Sequence, residues 1–209
     1  MLKTFFLLSL LILSTPQNIY AKEAYFPSEK KLVDECHRDY STSCVNRLAQ
    51  LRFKYAVKSF IYIKKTENLL AVELPLMYAE SAVELNPQES KYWTLLGEIY
   101  SSLHSDAALT LSEGALIEAL ELDSSNNKAR LLLASIMYSQ ERFFKSSELI
   151  LEAIERDNSL LTRELAESLA LIYLIDNNTQ KGLESFLELK EETNIAFLNE
   201  FIKLMKKVQ

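Results

Sequence analysis

The chain has 209 residues, with 23 lysines and arginines against 29 aspartates and glutamates, a formal charge of −6. An acidic balance argues against nucleic acid, whose phosphates need a basic face, and equally against a polybasic membrane-surface site. Glycine (3) and proline (4) are scarce while helix formers abound, so tight hairpins lack their turn residues and helices are favoured.

Residues 1–21 have the layout of a secretory leader: Lys3, the apolar run Phe5 to Leu13, and a small residue, Ala21, before a cut ahead of Lys22. The run is about half of the roughly 20 residues that a spanning helix needs, and Pro16 follows it, so the expectation is a cleaved leader and not an anchor. No later stretch is long and apolar enough to span. Cleavage removes one lysine and no acid, leaving a charge of −7. No cysteine sits at the cut, so lipidation is not expected. Cys36 and Cys44 both survive cleavage, and an even count in an oxidising compartment points to a disulfide between them. Two alternatives use the same residues: a thiol- or metal-dependent enzyme built on Cys36, His37 and Cys44, or a metal site that adds His104, the other histidine. The spacing matches no common zinc pattern, and no metal or other cofactor is expected.

Ser28 can cap a short helix from Glu29 to Arg38, within an N-terminal extension over 22–43. From about Ser43 to Lys65 the apolar residues recur at helical intervals. A second helix runs from about Leu74 to Leu85, with Pro75 tolerable in its first turn. Asn86-Pro87 ends it. Next comes Ser90 to Leu103, then a helix capped by Ser105 and reaching Leu122 with a small-residue stripe, Ser112, Ala115 and Ala119. Helices follow over 128–140 and 143–156, then from Thr162, as cap, to Ile175, and from Thr179 to Glu191. Thr193-Asn194 can cap a last helix, Ile195 to Lys207, within a capping segment over 195–209. Short connections make successive helices antiparallel neighbours, and each pair has more apolar surface than it can bury alone.

One segment recurs along this series. Trp93, Leu96, Gly97 and Tyr100 are followed by Ala119; Leu131, Ala134, Ser135 and Tyr138 by Ser146, Ile150 and Ala153; Ala166, Leu169, Ala170 and Tyr173 by Gly182 and Phe186. Ala79, Ala82 and Pro87 keep the second-helix half of an earlier copy. In these residues the chain resembles the tetratricopeptide repeat family, over about two-thirds of the length that follows the leader. Ser124 and Asn158 stand where the family closes its repeat with proline, which weakens the helix stops. The resemblance implies an all-α fold: about four antiparallel helix–turn–helix pairs over 44–194, stacked as a right-handed superhelical solenoid and closed by the C-terminal capping helix. Trp93, Tyr100, Tyr138 and Tyr173 then read as wedges inside the repeats.

The resemblance also implies a partner, a peptide or helix of another protein held on the concave face by first helices. Counted from the matched positions, that face presents Lys91, Thr94, Glu98 and Ser101, then Leu132, Ile136, Ser139 and Gln140, then Glu164, Glu167, Leu171 and Leu174. The competing reading is that Leu132, Ile136 and Leu171 pack on the next helix and meet no partner. Catalysis finds little support: there is no glycine-rich phosphate loop, metal-spaced histidine pair or nucleophile elbow, and the glutamates read as solvated faces. The expected function is a non-catalytic interaction adaptor of the bacterial periplasm that helps assemble or maintain an envelope complex of the pilus, cell-wall, division or cytochrome-maturation type. An exported effector or secretion chaperone is the alternative.

Overall fold

The computed structural model describes residues 27–38, 41–68 and 71–208. The expected leader lies outside the described residues. All regular structure among the described residues is helical, and the chain divides into two compact units, Met1–Leu103 and His104–Gln209.

The first unit holds α1 (Pro27–Arg38), α2 (Thr42–Thr66), α3 (Glu73–Leu85) and α4 (Ser90–Ser101). α2 starts where Ser41 Oγ accepts the Cys44 amide at 3.3 Å, satisfying one donor of the open first turn. Its buried residues, Cys44, Leu48, Arg52, Ala56, Phe60 and Ile63, recur every third or fourth position and so share one face. It ends at Glu67, whose φ of 53° is left-handed. The Cys36–Cys44 disulfide, with Cα atoms 5.5 Å apart, ties α1 to the first turn of α2.

α1 carries Glu29 into the interior, and this corrects the reading of the glutamates as solvated faces. Glu29 and Arg52 are 1% and 2% exposed, and Arg52 Nε donates to Glu29 Oε1 at 2.8 Å. Arg52 also donates to Ser81 Oγ, and Tyr78 Oη donates to Glu29 Oε2 at 3.0 Å. Burial is tolerable because the charges are matched and their polar atoms are bonded; no buried side-chain nitrogen or oxygen among the described residues lacks a partner. Burial, and then the carboxylate beside it, pushes the Tyr78 phenol well above its ordinary range. Farther along, Tyr100 Oη donates to Glu80 at 2.8 Å, and Trp93 Nε1 donates to Pro87 O at 2.8 Å, fastening α4 to the turn before it.

The second unit holds α5 (Asp106–Leu122), α6 (Asn127–Ser139), α7 (Phe143–Arg156), a short turn of 3₁₀ helix (Asn158–Leu160), α8 (Arg163–Ile175), α9 (Thr179–Thr193) and α10 (Leu198–Val208). Ser105, Asn126 and Thr162 each cap the helix that follows, accepting the amides of Ala108, Ala129 and Leu165. The small stripe Ser112, Ala115 and Ala119 is buried. The missing prolines have a substitute. Asp123 Oδ1 accepts the amide and hydroxyl of Ser125 at 2.9 and 2.6 Å, and Asp157 Oδ1 does the same with Ser159 at 3.0 and 2.6 Å. These Asx turns stop α5 and α7 by a side-chain bond instead of a ring.

The last helix begins at Leu198 and not at Ile195. Asn194 ends α9 in the left-handed region, φ 54°, and Lys190 Nζ holds Ile195 O at 2.9 Å, so Ile195 to Phe197 form the connection. α10 then closes the unit: Leu198 and Met205 are fully buried, and Phe201 stacks on Phe186 with ring centres 5.3 Å apart.

Candidate partner-binding groove

In the second unit α6, α7 and α8 line an open furrow of about 280 Å³. Leu131, Ser135 and Tyr138 form one wall, Leu165, Ser168 and Leu171 the other, and Ser146 and Ile150 of α7 lie between them. The first wall is spaced i, i+4, i+7 and the second i, i+3, i+6, so each set lies on one side of its helix. Three serines, Ser135, Ser146 and Ser168, are among its lining residues. Ser146 Oγ turns inward to Ala134 O at 2.8 Å, and Ser168 Oγ turns back to Glu164 O at 2.9 Å, so neither hydroxyl faces the opening unsatisfied. What remains facing outward is largely apolar: Leu171 is 48% exposed and Tyr138 37%, its ring packed edge-on against Phe143 at 5.7 Å.

The charge beside the furrow is negative. Glu164 and Glu167 are exposed on α8, one turn and less from Ser168. Its own backbone amide, followed by the Thr162 hydroxyl, holds the Glu164 carboxyl below the usual carboxylate range, as expected of an acid at a helix start. Arg163, the nearest cation in the sequence, is turned away: both of its terminal nitrogens bond Glu200, at 3.0 and 2.9 Å, and it lies 5.6 Å from the Phe197 ring centre.

No family model matches the sequence, and no curated protein matches it. Solved structures do match. The chain is similar to MamA, with 12% identity, 77% of this chain and 81% of that one covered and a TM-score of 0.57. It is similar to the Pseudomonas aeruginosa PilF structure, with 18% identity, 75% and 68% covered and a TM-score of 0.54. A third match is the first tetratricopeptide repeat domain of Spaghetti (RPAP3), bound to the HSP90 peptide SRMEEVD, with 14% identity, 61% and 91% covered and a TM-score of 0.52. The chain has the tetratricopeptide-repeat fold. At these identities the likeness extends to the fold alone, so what the repeats of this chain hold is argued from its own residues.

The repeat register places the expected face residues unevenly. In the first unit, Thr94 is buried and its hydroxyl bonds Ser90 O at 2.9 Å. Glu98 accepts Lys64 Nζ at 2.8 Å, and Ser101 Oγ bonds Glu98 O at 2.8 Å. Lys91 is exposed but lies 2.7 Å from Glu89 and over the Tyr92 ring at 5.3 Å. These four residues are engaged locally, within the first unit. In the second unit Leu171 and Glu167 are exposed, whereas Ile136 is 4% exposed and Leu132 half-buried, and Gln140 accepts from Arg142 at 3.2 Å. The outward row on α6 is Leu131, Ser135 and Tyr138, one residue from the row counted off the repeat pattern. Ile136 therefore belongs with the packed residues, and Tyr138, read as a wedge inside its repeat, is a wall of the furrow. Tyr173 is the buried wedge, 1% exposed, with its hydroxyl 2.9 Å from Ser185 Oγ.

The two cysteines are paired with each other. Cys36 and Cys44 are joined, which leaves neither as a thiolate nucleophile or ligand. Among the described residues no three His, Cys, Asp or Glu side chains are placed to hold a metal ion.

Proposed function

We infer that the chain is a non-catalytic interaction adaptor whose second unit seats a short apolar segment of a partner protein, neutral or basic at its flanks, in the α6–α8 furrow. The observation that carries this reading is the open furrow itself: Leu171 and Tyr138 stand out from it where a closed repeat stack would bury them. An apolar side chain entering between them gains burial that this chain does not supply for itself. Glu164 and Glu167 select against an acidic segment such as the peptide bound to RPAP3 and favour a basic-edged one. The place of action is the bacterial periplasm, in the assembly or upkeep of an envelope complex. The leader-like residues 1–21 and the pairing of the cysteines support that location.

The test is a photoreactive residue at Ser135 in living cells, with the captured protein identified after fractionation. One dominant periplasmic partner, lost when Leu171→Glu is added, supports the reading. Crosslinks that are diffuse, or indifferent to Leu171→Glu, sink it, and recovery of the chain in the medium or in a host cell sinks the location.

A further inference from the structure

α2 and α9 carry one four-position spacing, with three lysines around an apolar residue on α2 and two glutamates and a glutamine around one on α9. On α2 the positions are Lys54, Lys58, Ile61 and Lys65; on α9 they are Gln180, Glu184, Leu187 and Glu191. Both sets follow i, i+4, i+7 and i+11, which confines each to about 60° of its helix and spreads it over about 16 Å. All these side chains are exposed, with the central Ile61 at 49% and Leu187 at 45%. Single exposed apolar residues are ordinary. Two of them at equal spacing, one flanked by lysines and the other by Glu184 and Glu191, form complementary surfaces.

Neither row is neutralised within its own unit. Thr42–Thr66 contains no acidic residue. Arg47 pairs with Glu35, Lys64 with Glu98 and Arg52 with Glu29, but Lys54, Lys58 and Lys65 make no ion pair among the described residues. Glu188 and Glu191 likewise make none, and Glu184 accepts the amide of Gln180 at 2.8 Å. The overall charge of −6 hides this segregation.

We propose that α2 of one copy docks on α9 of a second copy. Laid parallel with Ile61 on Leu187, the equal spacing sets Lys58 opposite Glu184, Lys65 opposite Glu191 and Lys54 opposite the Gln180 amide. An acidic chain repels its copies at most faces, and the α2 row is where another copy meets attraction. The two patches differ, so the contact is heterologous. Exposed ion pairs around one apolar contact make a weak, salt-sensitive association.

Sedimentation velocity of the purified chain tests this, over a concentration series that reaches the high micromolar range. The expected result is a weight-average sedimentation coefficient that climbs with concentration and returns to the monomer value at about 1 M salt, where screening acts within about 3 Å. K58E with K65E, or E184K with E191K, each weakens association by about tenfold or more. An equimolar mixture of the two variants associates again, because each supplies the charge the other lacks. All four positions are exposed, so circular dichroism will show both variants folded. A monomer at every concentration overturns the proposal and leaves the α2 row to a different anionic partner. So does a charge-reversed variant that associates like the parent, or a mixture that stays monomeric.

Discussion

Gly182 on α9 meets the Tyr173 side chain on α8 with no room for a methyl group: a β-carbon at 182 would stand 2.9 Å from Tyr173 Cγ and 3.0 Å from Met205 Sδ. The atom it would strike first is the root of a ring that is itself 1% exposed, so the ring cannot swing clear. Gly182 thus sets how closely α8, α9 and α10 approach. In a helix interior alanine gains about 1 kcal/mol over glycine, and overpacking costs about 1–3 kcal/mol. Gly182→Ala is expected to lose about 1 kcal/mol net. Gly114 on α5 has nothing within 4 Å of the same built atom, so Gly114→Ala should gain about 0.5–1 kcal/mol. Urea unfolding of both variants checks this, and shifts of the same sign would refute the close approach at 182.

Two ion pairs in the first unit have equal length and very different consequences. Arg52–Glu29 and Arg47–Glu35 are both 2.8 Å, but the first pair is 2% and 1% exposed and the second 57% and 44%. Removing one partner of the buried pair strands a charge, at a cost of about 3–5 kcal/mol. Removing one from the exposed pair costs about 1 kcal/mol or less. Arg52→Ala should therefore unfold the first unit at much lower denaturant than Arg47→Ala. Tyr78→Phe, which removes one bond to the Glu29 carboxylate, should fall between them, at about 1.5–3 kcal/mol. Chemical denaturation curves of the three variants give the order directly.

Part of this was legible in the residues and part was not, for physical reasons. Helix starts at Ser105, Thr162 and Pro75 could be read because a cap or a first-turn proline acts on its own neighbours in the chain. The stops at Asp123 and Asp157 act equally locally, and the serine two residues after each was an available sign that proline had been replaced by an Asx turn. Glu29 and Arg52 carry no such sign. They lie 23 residues apart on different helices, and each looks like any charged residue in a helical pattern. The furrow failed by register: one residue turns a helix by about 100°, so an error of one position exchanges Ile136, which is packed, for Ser135, which is open. On α8 the same count reached Leu171, which is a wall of the furrow.

That register makes its own prediction. Ile136→Glu places a carboxylate at a site 4% exposed, whereas Leu171→Glu places one at a site 48% exposed. The first should destabilise the second unit by several kcal/mol (about 3 or more) or leave it unfolded. The second should change stability by about 0.5 kcal/mol at most. Circular dichroism with thermal melts separates them. A melt of Leu171→Glu as damaged as that of Ile136→Glu would show Leu171 to be a packing residue.

Alkaline pH should unfold the chain through its buried phenols. Burial is the first cause raising Tyr78, Tyr92, Tyr100 and Tyr173; Glu29 adds to it at Tyr78 and Glu80 at Tyr100. In the unfolded chain these groups ionise near pH 10. The folded state keeps its protons beyond that point, so it binds more protons than the unfolded state and stability falls as pH rises above about 10. Below that pH the contribution is fully present. The ultraviolet absorbance of tyrosinate, followed with circular dichroism, should show these phenols ionising together with loss of helix. Their ionisation in a chain that keeps its full helical signal would contradict the buried network.

The disulfide and the buried ion pair should be coupled, because both hold α1. Cys36–Cys44 anchors the end of α1 to α2, and Glu29, near its start, enters the Arg52 site. Replacing both cysteines by serine lengthens the freedom of a short loop, at a cost of about 2–3 kcal/mol. Once α1 is released, Glu29 leaves Arg52 in a fraction of the molecules, so part of the cost of losing the pair has already been incurred. Urea curves for the wild type, the double serine variant, Glu29→Ala and the combination complete a double-mutant cycle. The combined loss is expected to be smaller than the sum of the separate losses by about 1 kcal/mol or more. Strict additivity would mean that α1 stays docked without its covalent tie, and that the Arg52 site alone holds it in place.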